Sequence, residues 1–548
     1  MLVDVSDATT LEQSVVALQA QIAALSEERD EYRKLVLHLR EQVERLKRRL
    51  LGQKAERLPK DDAQLSLLML GLALGGDASA AVPAPPPVEQ TVVEHTRAKP
   101  VRKPLPPNLP REEIEIVPPE VERDPDAFEL IGTETREVLE RRPSCTMTVA
   151  LIYKKYVRKD RKRGAATEVL APATVEMPIE HGVAGPGMLA DTIVRRWQDH
   201  QPLNRLEGIY AREGLQVAKS TLCGWHEKVA ELVRPLVDAM RDDAFKQPYL
   251  CVDATGVLVL AKERCRVGHF WVTVAPDKHV LFAYSKRHDG AAVDELLDGY
   301  AGYLVADAHA VYDHLYRNGA VIEVGCWAHA RRYFFKALES DPERAKTALA
   351  WIGALFALER SMVSTPAKKR REIRQARAAP IVDAFFAWCD QEVGRVLDES
   401  PMAQGIGYAR NQRAALRRFL DDGRLPMHNN ISELNLRREV VGRKNWLFVG
   451  SDDGGEVNAT FVSLLASCGL HKIEPFAYVR DLLCLLPRWP SNRVLELAPA
   501  YWRQTLEKPE AQQALDANVL RRVVLALPGA ASHRPPGLPR QAAAVSDV

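Results

Sequence analysis

Residues 248–260 read PYLCVDATGVLVL. Apolar and β-branched residues fill the run, which gives it the pattern of a strand. One carboxylate, Asp253, stands in its middle. An uncompensated charge inside an apolar layer is expensive, so Asp253 needs a reason to be there. Two further strand patterns follow across short turns, CRVGHFWVTVA (265–275) and HVLFAYS (279–285). AAVDELLDGY (291–300) is helical. GYLVADAHAVYDHL (302–315) is an apolar strand ending at Asp307 and leading into a helix. AVIEVGCWAHARRYFFKAL (320–338) is again a strand running into a helix. The order β-β-β-α-β-α-β-α predicts an α/β fold with a mixed sheet. In that order the first and fourth strands can lie side by side, with Asp253 and Asp307 at one edge.

Two carboxylates held that close repel, and a divalent cation removes the repulsion. Hard oxygen ligands with open positions suit Mg²⁺ or Mn²⁺. A third acid from a helix completes a two-metal site of the kind that promotes in-line phosphoryl displacement. The candidate is Glu433, in LPMHNNISELNLRREVVGRKNWLFVGS (425–451). Each acid also has a plainer reading. Asp253 before Ala-Thr-Gly fits a turn, and Asp307 fits a cap for a helix starting at Ala308. Asn430 is the expected N-cap of the last helix, and Glu433 three residues on has the spacing of a capping box. Spacing leaves both readings of the three acids open.

Outward from this core, residues 335–422 are helical and partly basic, a long interruption before the stretch that carries Glu433. Upstream, 186–245 is helical. Leu203 to Arg212, a turn at Gly214 and a second helix from near Ala218 have the rhythm of a helix-turn-helix, with Lys219, Ser220 and Thr221 at the start of the second helix. That is where such a motif meets DNA, although a plain helical hairpin gives the same pattern. Residues 113–180 form a small β-leaning module containing the basic run 154–163 (KKYVRKDRKR), which is either a phosphate-contacting patch or a solvated hairpin face. Residues 74–112, rich in Pro and Ala, read as a linker. Residues 8–55 carry a heptad: Leu11, Leu18, Leu25, Tyr32, Leu39 and Leu46 recur every seven, alternating with Val15, Ile22, Arg29, Val36, Val43 and Leu50. That pattern predicts a parallel coiled coil and hence a homodimer or higher oligomer. The core is expected to span 246–480, and 481–548 to be a C-terminal region with a disordered tail.

Bulk composition narrows the classes. The chain has 548 residues, 46% hydrophobic and 27% charged, with a formal net charge of +2. Binding to nucleic acid must therefore rest on local basic patches. The eight cysteines are scattered and unpaired by spacing, as in a reduced cytoplasmic protein. The start is polar, with no signal region, and no apolar run is long enough to span a membrane.

Several stretches resemble the IS66 family of insertion-sequence transposases, which are of the DDE type and act in bacteria at the nucleoid. They are LLGQKAERL (50–58), PLPPNLPREEIE (104–115), HQPLNR (200–205), KSTLCGW (219–225), YLCVDATGVLVL (249–260), VADAHAVYDHL (305–315), CWAHARRYF (326–334) and residues 421–456. The resemblance covers most of the chain, to about residue 490. It implies an RNase H-like core, Asp253, Asp307 and Glu433 as catalytic metal ligands, Mg²⁺ or Mn²⁺, and DNA strand cleavage and strand transfer at element ends. Transposon ends and target DNA are the implied partners, with accessory transposition proteins as further candidates. By their chemistry His329, Arg331 and Arg332 are candidates for the scissile phosphate or flanking strand. Arg443, Lys444 and Trp446 are candidates for backbone and an exposed base.

The chain departs from the family pattern twice. Many relatives carry C-x-x-C pairs between linker and core. Here the matching stretches, VERDPDAFELIG (121–132) and KKYVRKDRKRG (154–164), have none, so no zinc is expected. The Asp of the usual Asp-Asn-Asn is His428, and the Arg usually following the acid is Leu434. The alternatives are a DNA-binding relative that has lost catalysis and an RNase H-like nuclease that does not transpose.

Overall fold

The computed structural model describes residues 109–525 except 143–144, 160–168, 262–263 and 318, together with Gln21, Ile22, Leu25, Arg29, Tyr32 and Val36. The chain forms two compact units. Among the described residues, one comprises 109–330, Ala357–Asp383 and 411–525, the other Arg331–Phe356 and Ala384–Arg410.

The first unit holds two sheets. Three strands, β1 (Arg111–Ile116), β2 (Phe128–Arg142) and β3 (Cys145–Arg158), form a sheet ordered β1-β3-β2. β1 starts just before the expected end of the linker. Val138, Met147, Val149, Leu151 and Tyr153 bury one face with Met177 and Leu520. The small module thus has an apolar core without cysteine pairs. Lys154 pairs with Glu115 at 2.7 Å and Lys155 with Glu134 at 2.8 Å, so the first cations of the basic run are neutralised on the sheet.

Helices α1 (Pro186–Trp197), α2 (Leu203–Arg212) and α3 (Lys219–Ala244) follow. Gly214, at φ +88°, supplies the left-handed turn between α2 and α3. Helix α1 docks on the small module through Glu140, whose Oε1 accepts from the backbone N–H groups of Arg141 and Met188, both at 2.8 Å. Side chains on Gly185 or Gly187 would collide with this carboxylate.

The second sheet comprises β4 (Tyr249–Val259), β5 (Arg266–Ala275), β6 (His279–Ser285), β7 (Gly302–Val305) and β8 (Val321–Val324). Its order is β6-β5-β4-β7-β8, with β4–β5 and β5–β6 antiparallel and β4–β7 and β7–β8 parallel. The first and fourth strands are therefore neighbours, as the element order predicts. Helix α4 (Gly290–Leu297) is capped by Asp289, and α5 (Trp327–Lys336) leaves β8. The insertion is helical: α6 (Pro342–Ser361), α7 (Ala367–Ile373), α8 (Ala379–Glu392) and α9 (Pro401–Asn411). In the second unit, Phe334 meets Phe385 edge to face, and Arg344 joins Asp341 and Glu392.

The chain returns through α10 (Asn430–Trp446), α11 (Asp452–Leu470) and α12 (Pro475–Leu485). Helix α11 covers the sheet edge at β6. Ser463 Oγ accepts from Phe282 N–H at 2.7 Å, and Ser467 Oγ accepts from Val280 N–H and donates to its carbonyl, each at 3.0 Å. An exposed edge would leave these backbone groups as a template for another strand. Helix α12 crosses residue 480, with Tyr478, Leu482, Leu483 and Leu485 buried. Two last helices, α13 (Pro509–Ala517) and α14 (Val519–Leu525), close the described chain.

The described heptad residues Ile22, Leu25, Arg29, Tyr32 and Val36 are helical, and Ile22, Leu25, Tyr32 and Val36 are exposed apolar side chains. The rest of the expected coiled coil, most of the linker, the end of the basic run and the C-terminal tail lie outside the described residues. No described helix is long and apolar enough to cross a membrane. Cys223, Cys251, Cys265, Cys326, Cys389, Cys468 and Cys484 form no disulfide.

Candidate functional site

β4 and β7 run parallel with Cys251 opposite Val305. Asp253 and Asp307 each come two residues after this pair. β7 has ended by then, whereas β4 continues. Asp253 lies within β4, which removes its reading as a turn residue. Its Oδ1 accepts from Ala254 N–H at 2.8 Å. Asp307 caps no helix. The short turn of helix begins at Ala310, and His309 caps it by accepting from Val311 N–H at 3.3 Å. Buried Tyr312 reports on both acids: burial, then the charges of Asp307 and Asp253, push its hydroxyl well above the usual tyrosine range. Both aspartates therefore act on one neighbourhood, Asp253 from within β4 and Asp307 from just beyond β7.

A wall of rings borders that neighbourhood. His288 stacks on Trp271 at 4.9 Å and meets His309 edge-on at 4.9 Å, and Trp271 contacts Tyr312. Burial and His309 hold the His288 imidazole below its ordinary range.

The third acid arrives on α10, and the capping expectation is corrected there. The N-cap is Asn429, not Asn430, and it makes no side-chain capping bond. Its amide nitrogen instead donates to the Val252 carbonyl at 2.7 Å, and its backbone N–H donates to Cys326 Sγ at 3.2 Å. With Asn430 at the first helical position, Glu433 is one residue too far along for a capping box. Its Oε1 lies 3.5 Å from His329 Nε2 on α5. Asn429 thus ties the start of α10 to the residue before Asp253, and His329 meets Glu433 from the end of β8. Asn429 Oδ1 and Ser432 Oγ, both buried at this helix start, have no hydrogen-bond partner. His428 Nδ1 accepts from Asn430 N–H at 3.4 Å, and burial lowers its proton affinity, so the imidazole is neutral at pH 7. Among the described residues, no three or more His, Cys, Asp or Glu gather closely enough to hold a metal ion by themselves.

The other candidates differ in setting. Arg443 Nη1 bonds Thr255 Oγ1 at 3.1 Å and the Gly256 carbonyl, so it fastens α10 along β4. Trp446 is half-buried against Gly442, with the Arg196 guanidinium 5.4 Å from its ring. Lys444 is exposed, as is Lys219 at the start of α3. Arg331 and Arg332 are exposed on α5, in the other unit. Asn429 and Tyr312 were not singled out from the sequence. Asn429 stood in the quoted Asn-Asn pair, but no spacing marks which asparagine turns into the core.

Fold and site together define a mixed α/β protein with one aspartate within a central strand and another just beyond its parallel neighbour. A family profile described as "Transposase IS66 family" matches residues 181–457, and another, "Transposase C of IS166 homeodomain", matches residues 38–114. The chain is similar to "Uncharacterized protein y4hP" of Sinorhizobium fredii, 28% identical over 499 residues covering 86% of this chain and 89% of that one. It is also similar to "Uncharacterized protein y4qI" of the same organism, 30% identical over 406 residues covering 70% and 74%. The chain belongs to the IS66 family of transposases.

Proposed function

We propose that this transposase is a DDE enzyme with an RNase H-like core, which binds its element's ends and carries out metal-dependent DNA strand cleavage and strand transfer. The observation that carries this reading is the parallel β4–β7 pairing, whose last pair, Cys251 opposite Val305, stands two residues before each aspartate. Glu433 is the third acid. Mg²⁺ is commonly held by one or two carboxylates plus substrate phosphates, not by an all-protein cage. The two aspartates, hard oxygen donors on β4 and just beyond its neighbour β7, fit that mode, and Mn²⁺ suits the same donors. A cation bound there supplies activation of the attacking oxygen and stabilisation of the leaving one. The chain's own residues orient the acids: Asn429 fixes the start of α10, Arg443 fixes its far half, and His329 holds Glu433 or passes to a phosphate oxygen. Lys219, Arg331, Arg332 and Lys444 are exposed cations suited to DNA phosphates. The N-terminal heptads join copies of the chain, accessory proteins are further candidate partners, and the bacterial cytoplasm is the setting in which the DNA lies.

Purified protein with Mg²⁺ or Mn²⁺ is expected to nick duplexes cut from the inverted repeats flanking its reading frame. Asp253→Ala, Asp307→Ala and Glu433→Ala should each lower cleavage by roughly a thousandfold or more, as loss of one member of a catalytic unit does. Undiminished cleavage by the Glu433→Ala protein would sink the three-acid assignment. Equal cutting of unrelated DNA would favour a nuclease. One feature favours a second reading: His428 stands where the family resemblance expects Asp, which removes a negative charge near Glu433. Specific binding without cleavage, restored to cleavage by His428→Asp, would identify an impaired copy.

A further inference from the structure

Leu447, the residue that ends α10, has φ +66° and ψ −49°. Phe448 N–H donates across it to the Trp446 carbonyl at 2.8 Å. This is a γ-turn with positive φ, a rare and strained conformation for a branched residue. Both sides of the turn are fastened. Leu447 N–H donates to the Arg443 carbonyl at 2.8 Å. Beyond the turn, Val449 N–H donates to Leu258 O and Val449 O accepts from Leu260 N–H, both at 2.8 Å. The strain holds two large apolar side chains outward, Leu447 at 64% and Phe448 at 41% exposure. Leu258, Leu260 and Val267 are also exposed, on the end of the β4–β5 hairpin to which Val449 is bonded. Exposed apolar patches of this kind mark contact surfaces, and strained backbone gathers at functional positions.

The charge around the patch selects the partner. The exposed residues of α10 are Asn430, Leu434, Arg437, Val441, Lys444 and Asn445. Arg437, Val441 and Lys444 follow at helical spacing on one face, and no carboxylate is exposed on the helix. A second copy docked symmetrically here would set cations against cations, whereas DNA phosphates complement them. Helix α10 begins beside Asp253 and runs along β4, fastened at Val252, at Thr255 and Gly256, and again at Leu258 to Leu260. Five strand residues separate Asp253 from Leu258, about 17 Å. That is the rise of about five base pairs.

We infer that Leu447 and Phe448 form an apolar wedge that enters a base step of the bound DNA about five base pairs from the scissile phosphate, while Arg437 and Lys444 hold the phosphates between. Leu and Phe wedges of this kind partly unstack a step and kink the duplex. The inference rests on the transposase reading above. Its test uses the full chain and inverted-repeat duplexes carrying 2-aminopurine at successive positions from the cleavage site. Binding should brighten the probe several-fold at one step near the fifth base pair. Phe448→Ser and Leu447→Gly should each abolish that signal and weaken binding by about tenfold. Leu447→Gly is the informative variant, because glycine accepts positive φ freely. It should melt no lower than the wild type, so its lost signal is not unfolding. Wild-type protein that cuts these duplexes without brightening any position overturns the wedge alone, as does full signal in the Leu447→Gly protein. A change of oligomeric state in the variants with the DNA signal intact also overturns it, by making the patch a contact between copies. Wild-type protein that neither binds nor cuts the duplexes overturns the transposase reading itself.

Discussion

At Asn429 one side chain joins two distant parts of the chain, because its amide reaches the Val252 carbonyl while its backbone meets Cys326. Asn429→Ala leaves that buried carbonyl unpaired, at a cost of about 1–3 kcal/mol. Chemical denaturation should show that loss, and cleavage should fall more than DNA binding because the start of α10 is freed. Glu140 gives a second residue-scale expectation. Burial pushes its carboxyl up to about 8, against an ordinary 4.5. The folded state therefore binds the proton more tightly than the unfolded state, so this group's contribution is fully present below about pH 4.5. It is lost as pH rises, and gone above about pH 8. Glu140→Gln should flatten the fall in stability across that window, read from denaturation midpoints against pH. Glu439, pushed to about 7 by its own burial, leaves a remaining slope below that pH.

Among the elements, the edge strand β6 and helix α11 depend on each other most directly. Ser463 and Ser467 serve the backbone of Phe282 and Val280, a task that water or another strand would otherwise take. Replacing both with alanine should cost about 1–3 kcal/mol for each buried donor left unpaired. Hydrogen exchange should speed at Val280 and Phe282 more than at central β5 residues. The five strands of this sheet were legible in the sequence because each is a short apolar, β-branched run bounded by turn residues. The role of α11 was not: an amphipathic pattern says that a helix is buried, not which strand its serines will meet. The same limit applied at α10. Asn430 and Glu433 had the spacing of a capping box, but the bond to Val252 took Asn429 as the N-cap and shifted the helix by one residue.

For the whole molecule, the open question is assembly. Ile22, Leu25, Tyr32 and Val36 lie on heptad positions and are exposed in the single chain. An apolar stripe of this kind is stabilised by a second helix. The protein is expected to sediment as a dimer or larger species, and Ile22→Lys with Leu25→Lys should shift it toward the monomer. A wild-type protein that stays monomeric at high concentration would remove the coiled coil from the account.

The sequence alone determined the strand order, the family, and the identity of the three acids as candidates, because these depend on local pattern and on motifs that survive in linear form. Only the tertiary structure decided that the strands leading to Asp253 and Asp307 pair in parallel, that Asn429 locks α10 to β4, and that His329 meets Glu433. It also turned Arg443 from a free cation into a fastener and set Leu447 in a strained turn. Each of these depends on register and on hydrogen bonds between residues far apart in sequence, which spacing along one chain does not encode.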